Sequence, residues 1–139
     1  PHNKEALMPL QERFEYKEKY NYEMLKSLTV VDYYFPDKLN RGQEYPFEIV
    51  FTKREDEALN DFIIYSTLIN QETGEIYQAA DLPSFAIKQP GEWEEDRYYI
   101  DKNTLLIPAF VDAGEYKVFI GMSNKIRTRS VYLGNIKVL

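Results

Sequence analysis

From Leu28 to the end of the chain, apolar and aromatic residues come in short runs punctuated by turn residues at intervals of roughly 8 to 15 positions, the pattern of a sandwich or barrel of antiparallel strands. The spacing predicts strands near 28–35, 44–52, 61–70, 75–79, 93–100, 104–109, 114–121 and 131–138. In the second, Phe47, Ile49 and Phe51 alternate with Glu48, Val50 and Thr52, so one face belongs to the core. The third, with Phe62, Ile63, Ile64, Tyr65, Leu68 and Ile69, leaves neither face polar and reads as a central strand covered on both sides, with a neighbouring domain as one candidate cover. Asn40-Arg41-Gly42, Glu72-Thr73-Gly74 and Asp112-Ala113-Gly114 supply residues that accept positive φ where the chain reverses. In the last strand Val131 and Leu133 have one parity and Ile136 and Val138 the other, so a bulge at Gly134-Asn135 is expected to bring all four to the core side.

Composition agrees with this reading. Twelve Tyr and 8 Phe in 139 residues favour strands, and the length suits one domain with one core. The expected fold is therefore an all-β, antiparallel, immunoglobulin-like or jelly-roll-like β-sandwich of about eight strands over residues 28–139. Residues 1–27 read differently. Leu7, Leu10 and Phe14 follow helical spacing and Glu15 and Lys19 form an i,i+4 pair, before the phase is lost among Tyr16, Tyr20 and Tyr22. A short N-terminal helical or linker segment is expected there.

Several function classes fall on inventory. A net charge of −6 with scattered Lys and Arg argues against a nucleic-acid surface, where phosphate contacts require clustered cations. There is no cysteine for thiolate catalysis or zinc, the lone histidine is His2 near the chain start, and no Gly-rich phosphate loop is present, so no cofactor is expected. No run approaches the ~20 apolar residues that cross a bilayer, so this fragment is not expected to insert into a membrane. The chain begins with Pro1 rather than Met, and we expect it to be a piece of a larger parent protein whose membrane-embedded or catalytic part lies upstream.

Three groups of residues carry candidate chemistry. Glu92, Glu94, Glu95 and Asp96 offer carboxylates for calcium or for a glycosidase pair, against the plainer reading of a solvated strand edge; no metal site is expected. Lys125, Arg127 and Arg129 lie in the last hairpin, where they can meet anionic headgroups or an acidic polysaccharide, or simply be solvated. Trp93, Tyr98, Tyr99, Tyr33 and Tyr34 are the candidate exposed aromatics: a ring laid flat on a sugar buries C–H surface while its polar tip reaches a hydroxyl.

The order of motifs adds a resemblance. Val31-Asp32-Tyr33-Tyr34-Phe35, Arg41-Gly42-Gln43, Asp61-Phe62-Ile63-Ile64-Tyr65-Ser66-Thr67-Leu68, Glu72-Thr73-Gly74 and Gln78-Ala79-Ala80-Asp81 come first. Pro90-Gly91-Glu92, Asp96-Arg97-Tyr98, Ile107-Pro108, Ala113-Gly114-Glu115-Tyr116-Lys117-Val118-Phe119-Ile120-Gly121 and Leu133-Gly134-Asn135-Ile136-Lys137-Val138 follow. Over about residues 28–139 this order resembles the soluble C-terminal β-sandwich of bacterial membrane glycosyltransferases of the dolichyl-phosphate-mannose mannosyltransferase type and related envelope proteins. Trp93 follows the Pro-Gly-Glu element here, where that module has its tryptophan before it, and the loop after Gly121 is short. The resemblance implies a non-catalytic domain outside the bacterial cytoplasm, in the cell envelope, and transfers no functional residue. A looser similarity, to polysaccharide-recognition sandwiches attached to O-antigen exporters, implies direct glycan binding. The expected function is thus a non-catalytic accessory sandwich associated with a glycosyltransferase, with a carbohydrate-binding module as the alternative and an enzyme fragment with paired carboxylates as a third reading.

Overall fold

The computed structural model describes residues 10–55, 63–81, 90–123 and 127–139. Ten strands among them form two five-stranded sheets: β1 Gln11–Arg13, β2 Tyr22–Leu25, β3 Leu28–Tyr34, β4 Lys38–Leu39, β5 Glu44–Lys53, β6 Ile63–Asn70, β7 Ile76–Asp81, β8 Tyr98–Leu106, β9 Gly114–Ser123 and β10 Thr128–Val138. The first sheet has the order β1-β8-β5-β3-β2 and the second β4-β10-β9-β6-β7. The β4–β10 pair is parallel and the remaining pairs are antiparallel.

Alternation along each strand decides what is inside. Leu28, Val30, Phe47, Ile49, Phe51, Tyr99 and Leu105 from the first sheet meet Leu68, Tyr116, Val118, Ile120, Met122, Leu133, Ile136 and Val138 from the second. Each such side chain, taken fully out of water, contributes about 1.5–3 kcal/mol. The expected bulge in β10 is present one residue earlier than predicted: the register with β9 shifts between Tyr132 and Gly134. Leu133, Ile136 and Val138 are buried and Val131 packs against the same core. Gly42 and Gly74 turn the chain with φ of 75° and 77°, the left-handed values that glycine adopts without strain. Beyond Gly114, Tyr116 is buried and its hydroxyl donates to the Asp112 carbonyl at 2.6 Å, tying β9 to the loop that feeds it.

Two expectations about the elements are corrected. Residues 93–100 and 104–109 do not form separate strands; Pro90–Glu92 make a 3-10 turn, and a single strand, β8, runs from Tyr98 to Leu106. The buried ammonium of Lys53 holds the turn by donating to the carbonyls of Pro90 at 3.2 Å, Gly91 at 3.4 Å and Trp93 at 3.1 Å.

The N-terminal helix is the second correction: residues 10–27 contain no helix, and Leu7 of its apolar face lies outside the described residues. Instead β1 pairs with β8 at one edge of the first sheet and β2 with β3 at the other. The segment between them straps across the outer face of that sheet. Tyr16 packs there against buried Val31, Val50 and Ile100, and its hydroxyl donates to Asp32 Oδ2 at 2.5 Å. A bulge in β3 between Val30 and Asp32 turns the Val31 carbonyl out of the ladder, where it accepts from the amides of Lys19 at 3.0 Å and Tyr20 at 2.9 Å. The Glu18 carboxylate closes the strap with a two-point pair to Arg54, at 3.0 and 2.8 Å, and accepts from the Tyr98 hydroxyl at 2.6 Å. The Arg54 pair holds the Glu18 carboxyl below its ordinary range, against desolvation and with help from Tyr98. Tyrosines win over helical phase in this segment because Tyr20 and Tyr22 stack, 5.2 Å apart, onto the strand edge, where Tyr20 also meets Tyr33 at 4.9 Å.

Candidate functional site

The two outer faces of the sandwich differ. The strap covers the first sheet, whereas among the described residues the outward side chains of the second sheet range from half-buried to exposed. By register, a row runs across that open face from Thr67 on β6 through Phe119 on β9 to Tyr132 on β10. The adjacent row on one side places Tyr65 opposite Gly121 and Ser130, and that on the other places Ile69 opposite Lys117 and Asn135. These positions face outward because their neighbours Leu68, Val118, Ile120 and Leu133 are committed to the core.

Three rings define the face. The Tyr65 ring lies on the strand at Gly121, so close that a Cβ there would stand 2.3 Å from Cε2 and 2.7 Å from the hydroxyl oxygen. Phe119, half-buried, and Tyr132, 44 % exposed, are 5.4 Å apart with an interplanar angle of 46°. The Tyr132 hydroxyl donates to Asn135 Oδ1 at 2.5 Å, fixing the ring and leaving the Asn135 amide hydrogens pointed away from that bond. The Lys117 ammonium lies 6.0 Å from the centre of the Tyr132 ring. The face therefore offers apolar ring surface bordered by hydroxyl, amide and ammonium donors, which suits a flat polar ligand with C–H faces.

The aromatics singled out from sequence do not converge. Trp93 is 3 % exposed and stacks inside the core on buried Tyr99, with centroids 4.4 Å apart and planes 11° apart. These two are corrected from surface to core: the Pro90–Glu92 turn swings Trp93 inward, and Tyr99 takes an inward position of β8, where its hydroxyl accepts from the Glu94 amide at 2.9 Å. Tyr98 is half-buried beneath the strap, where its hydrogen bond to Glu18 raises its pKa. Tyr33 is half-buried in a stack at the β2 edge, 5.3 Å from Phe35, and burial, followed by the Tyr20 hydrogen bond, pushes its hydroxyl pKa up. Tyr34, 53 % exposed, stands on the first sheet opposite Glu48, on the far side of the sandwich from the open face.

The third strand also reads differently in space. Among the described residues, Tyr65 and Ile69 of β6 are half-buried on the outer face of the second sheet while Leu68 lies in the core. Phe62 lies outside the described residues.

Charged candidates are dispersed. Glu94 pairs with Arg97, which also pairs with Glu12 at 2.6 Å, and Asp96 turns the chain with a φ of 60°. Among the described residues no group of three potential ligands converges on a metal position. Arg129 is exposed and donates to the Thr128 carbonyl at 2.9 Å, while Lys125 lies outside the described residues. Surface hollows among the described residues include one of about 360 Å³ between Glu44, Tyr45, Pro46, Asn103 and Thr104, and another of about 350 Å³ between Gln71, Glu72, Gly114 and Glu115. Glu72 and Glu115, both exposed, border the second.

The architecture is an antiparallel β-sandwich with one covered and one open face. Its fold is similar to the C-terminal domain of wzt, with a TM-score of 0.58 and 16 % identity over 91 % of this chain and 81 % of that one. It is also similar to a Niemann-Pick type C2 protein from Japanese carpenter ant, with a TM-score of 0.53 and 12 % identity over 73 % of this chain and 79 % of that one. No family model and no curated protein sequence matches the chain. Among the described residues no helix is long and apolar enough to cross a membrane.

Proposed function

We propose that this chain is a non-catalytic module of a larger cell-envelope protein that binds a glycan on the open face of its second sheet. The observation that carries the reading is the group of Tyr65, Phe119 and Tyr132 on the outer face of the second sheet, with ring surface and hydrogen-bonding groups side by side. A sheet face that leaves such rings in water gains from burying them against a partner, and sugar rings present both C–H surface and hydroxyls. The shape shared with the C-terminal domain of wzt supports a domain joined to a larger protein. Association with a membrane glycosyltransferase rests on the order of sequence motifs alone, and membrane spans upstream in the parent reading frame are the observation that would support it.

The test is a glycan array followed by titration calorimetry on the hits. Saturable binding that Phe119→Ala and Tyr132→Ala each remove, and that Trp93→Phe retains, is the expected result. Absence of binding to any envelope or extracellular glycan, or binding indifferent to both open-face substitutions, overturns the reading.

A further inference from the structure

We infer that the glycan taken by the open face is anionic, carrying carboxylate or phosphate groups; this rests on the binding reading above and narrows it to a ligand class. The chain is acidic overall, at −6, and several of its cations are already engaged within the fold. On the strapped side five are engaged internally, while Arg13, Lys17 and Lys102 make no ion pair among the described residues. Arg54 is paired with Glu18 at 2.8 Å, Arg97 with Glu12 and Glu94, Lys19 with Asp32 at 4.0 Å and Lys26 with Glu55 at 3.9 Å, while Lys53 is buried on backbone carbonyls.

On the open face Lys117 and Lys137 occupy outward positions of β9 and β10, and the parallel pairing of β4 with β10 sets Lys38 directly beside Lys137. All three are exposed, and among the described residues none has a carboxylate within ion-pair distance. Glu115 is the cross-strand neighbour of Lys137 and makes no such pair, and Asp81 takes the far position on the row of Tyr65. Two like charges on adjacent strands repel, so Lys38 and Lys137 cost stability that an anion between them recovers. Lys117 places a third ammonium against the Tyr132 ring, where one sugar unit can stack while its acidic group meets the cation. A neutral glycan would satisfy the rings and leave this group of lysines without a role.

The experiment measures binding of the chain to a panel of carboxylate-bearing and phosphate-bearing polysaccharides, to methyl-esterified forms of the carboxylate members, and to neutral glucans, mannans and galactans, at low and high salt. Anionic vesicles of phosphatidylglycerol form a separate arm. The expected result is binding to acidic polysaccharide that weakens with salt and with esterification, and that falls about tenfold in Lys117→Gln/Lys137→Gln. Equal affinity for esterified or neutral glycans, or a double variant that binds as the parent does, overturns the inference while leaving glycan binding standing. Binding to the vesicles without binding to any polysaccharide assigns the lysines to a lipid surface and overturns both, as does binding to none of the panel.

Discussion

The ring of Tyr65 fills the space that a side chain at Gly121 would need, with 2.3 Å between the ring and the position of a Cβ. The glycine is required by the neighbouring strand rather than by its own backbone. Gly121→Ala is expected to push Tyr65 off the sheet at a cost of about 1–3 kcal/mol and to weaken ligand binding. Thermal unfolding and a titration with the best glycan ligand check this; unchanged stability and affinity would show that the ring is not held there.

Val118 sits fully buried between Leu68 and Gly134 in register, in the middle of the second sheet. Val118→Ala should cost about 2–4 kcal/mol. Denaturant unfolding measures it, and a loss under about 0.5 kcal/mol would contradict the inward facing of β9.

Asp101 points into the sandwich from β8, with both carboxyl oxygens buried and without a hydrogen-bond partner. Burial pushes its carboxyl from 3.8 up to about 7. The folded chain then holds a proton that the unfolded chain releases, so this group's effect on stability is most favourable below about pH 4 and worsens as pH rises to about 7. The loss is on the order of a few kcal/mol. Asp101→Asn should flatten that slope and raise stability at about pH 8 relative to the parent, read from urea midpoints across the range. A variant that tracks the parent at every pH would mean the carboxyl is solvated after all.

The strap can be loosened without touching the core. Tyr16→Phe removes the hydrogen bond to Asp32 and should cost about 1 kcal/mol. Amide exchange at Lys19 and Tyr20, both bonded to the Val31 carbonyl, should quicken more than exchange in β9. In the parent, where burial and the Asp32 contact push the Tyr16 hydroxyl up to about 12, its ionisation should be absent from an absorbance titration until strongly alkaline pH. Uniform exchange rates in the two proteins would exclude a role for that bond.

Much of the sandwich is written in the period of two. Phe47, Ile49 and Phe51 face the core as their alternation requires, and the parity change between Leu133 and Ile136 announces the β10 bulge. Residues 10–27 were not legible in this way, because three-residue and four-residue strands are too short to show alternation, and Leu10 and Phe14 satisfy helical spacing by coincidence. Trp93 misled for a different reason: the turn that buries it is held by a lysine forty residues earlier in the chain, a contact that local pattern does not reveal. The open-face rings were within reach. With Tyr116, Val118 and Ile120 inside, Phe119 has to point out; Tyr132 is its cross-strand neighbour, which only the register supplies.

Strand edges are where sheets recruit one another into aggregates, and here the rim of the first sheet is reduced to Gln11–Arg13 on one side and Tyr22–Leu25 on the other. Both stubs belong to the same stretch of chain that crosses Val31, and they cap β8 over Tyr98–Ile100 and β3 over Leu28–Val30. Cutting or peeling back that stretch would bare both of these capped rims at once and open them to pairing with a second molecule.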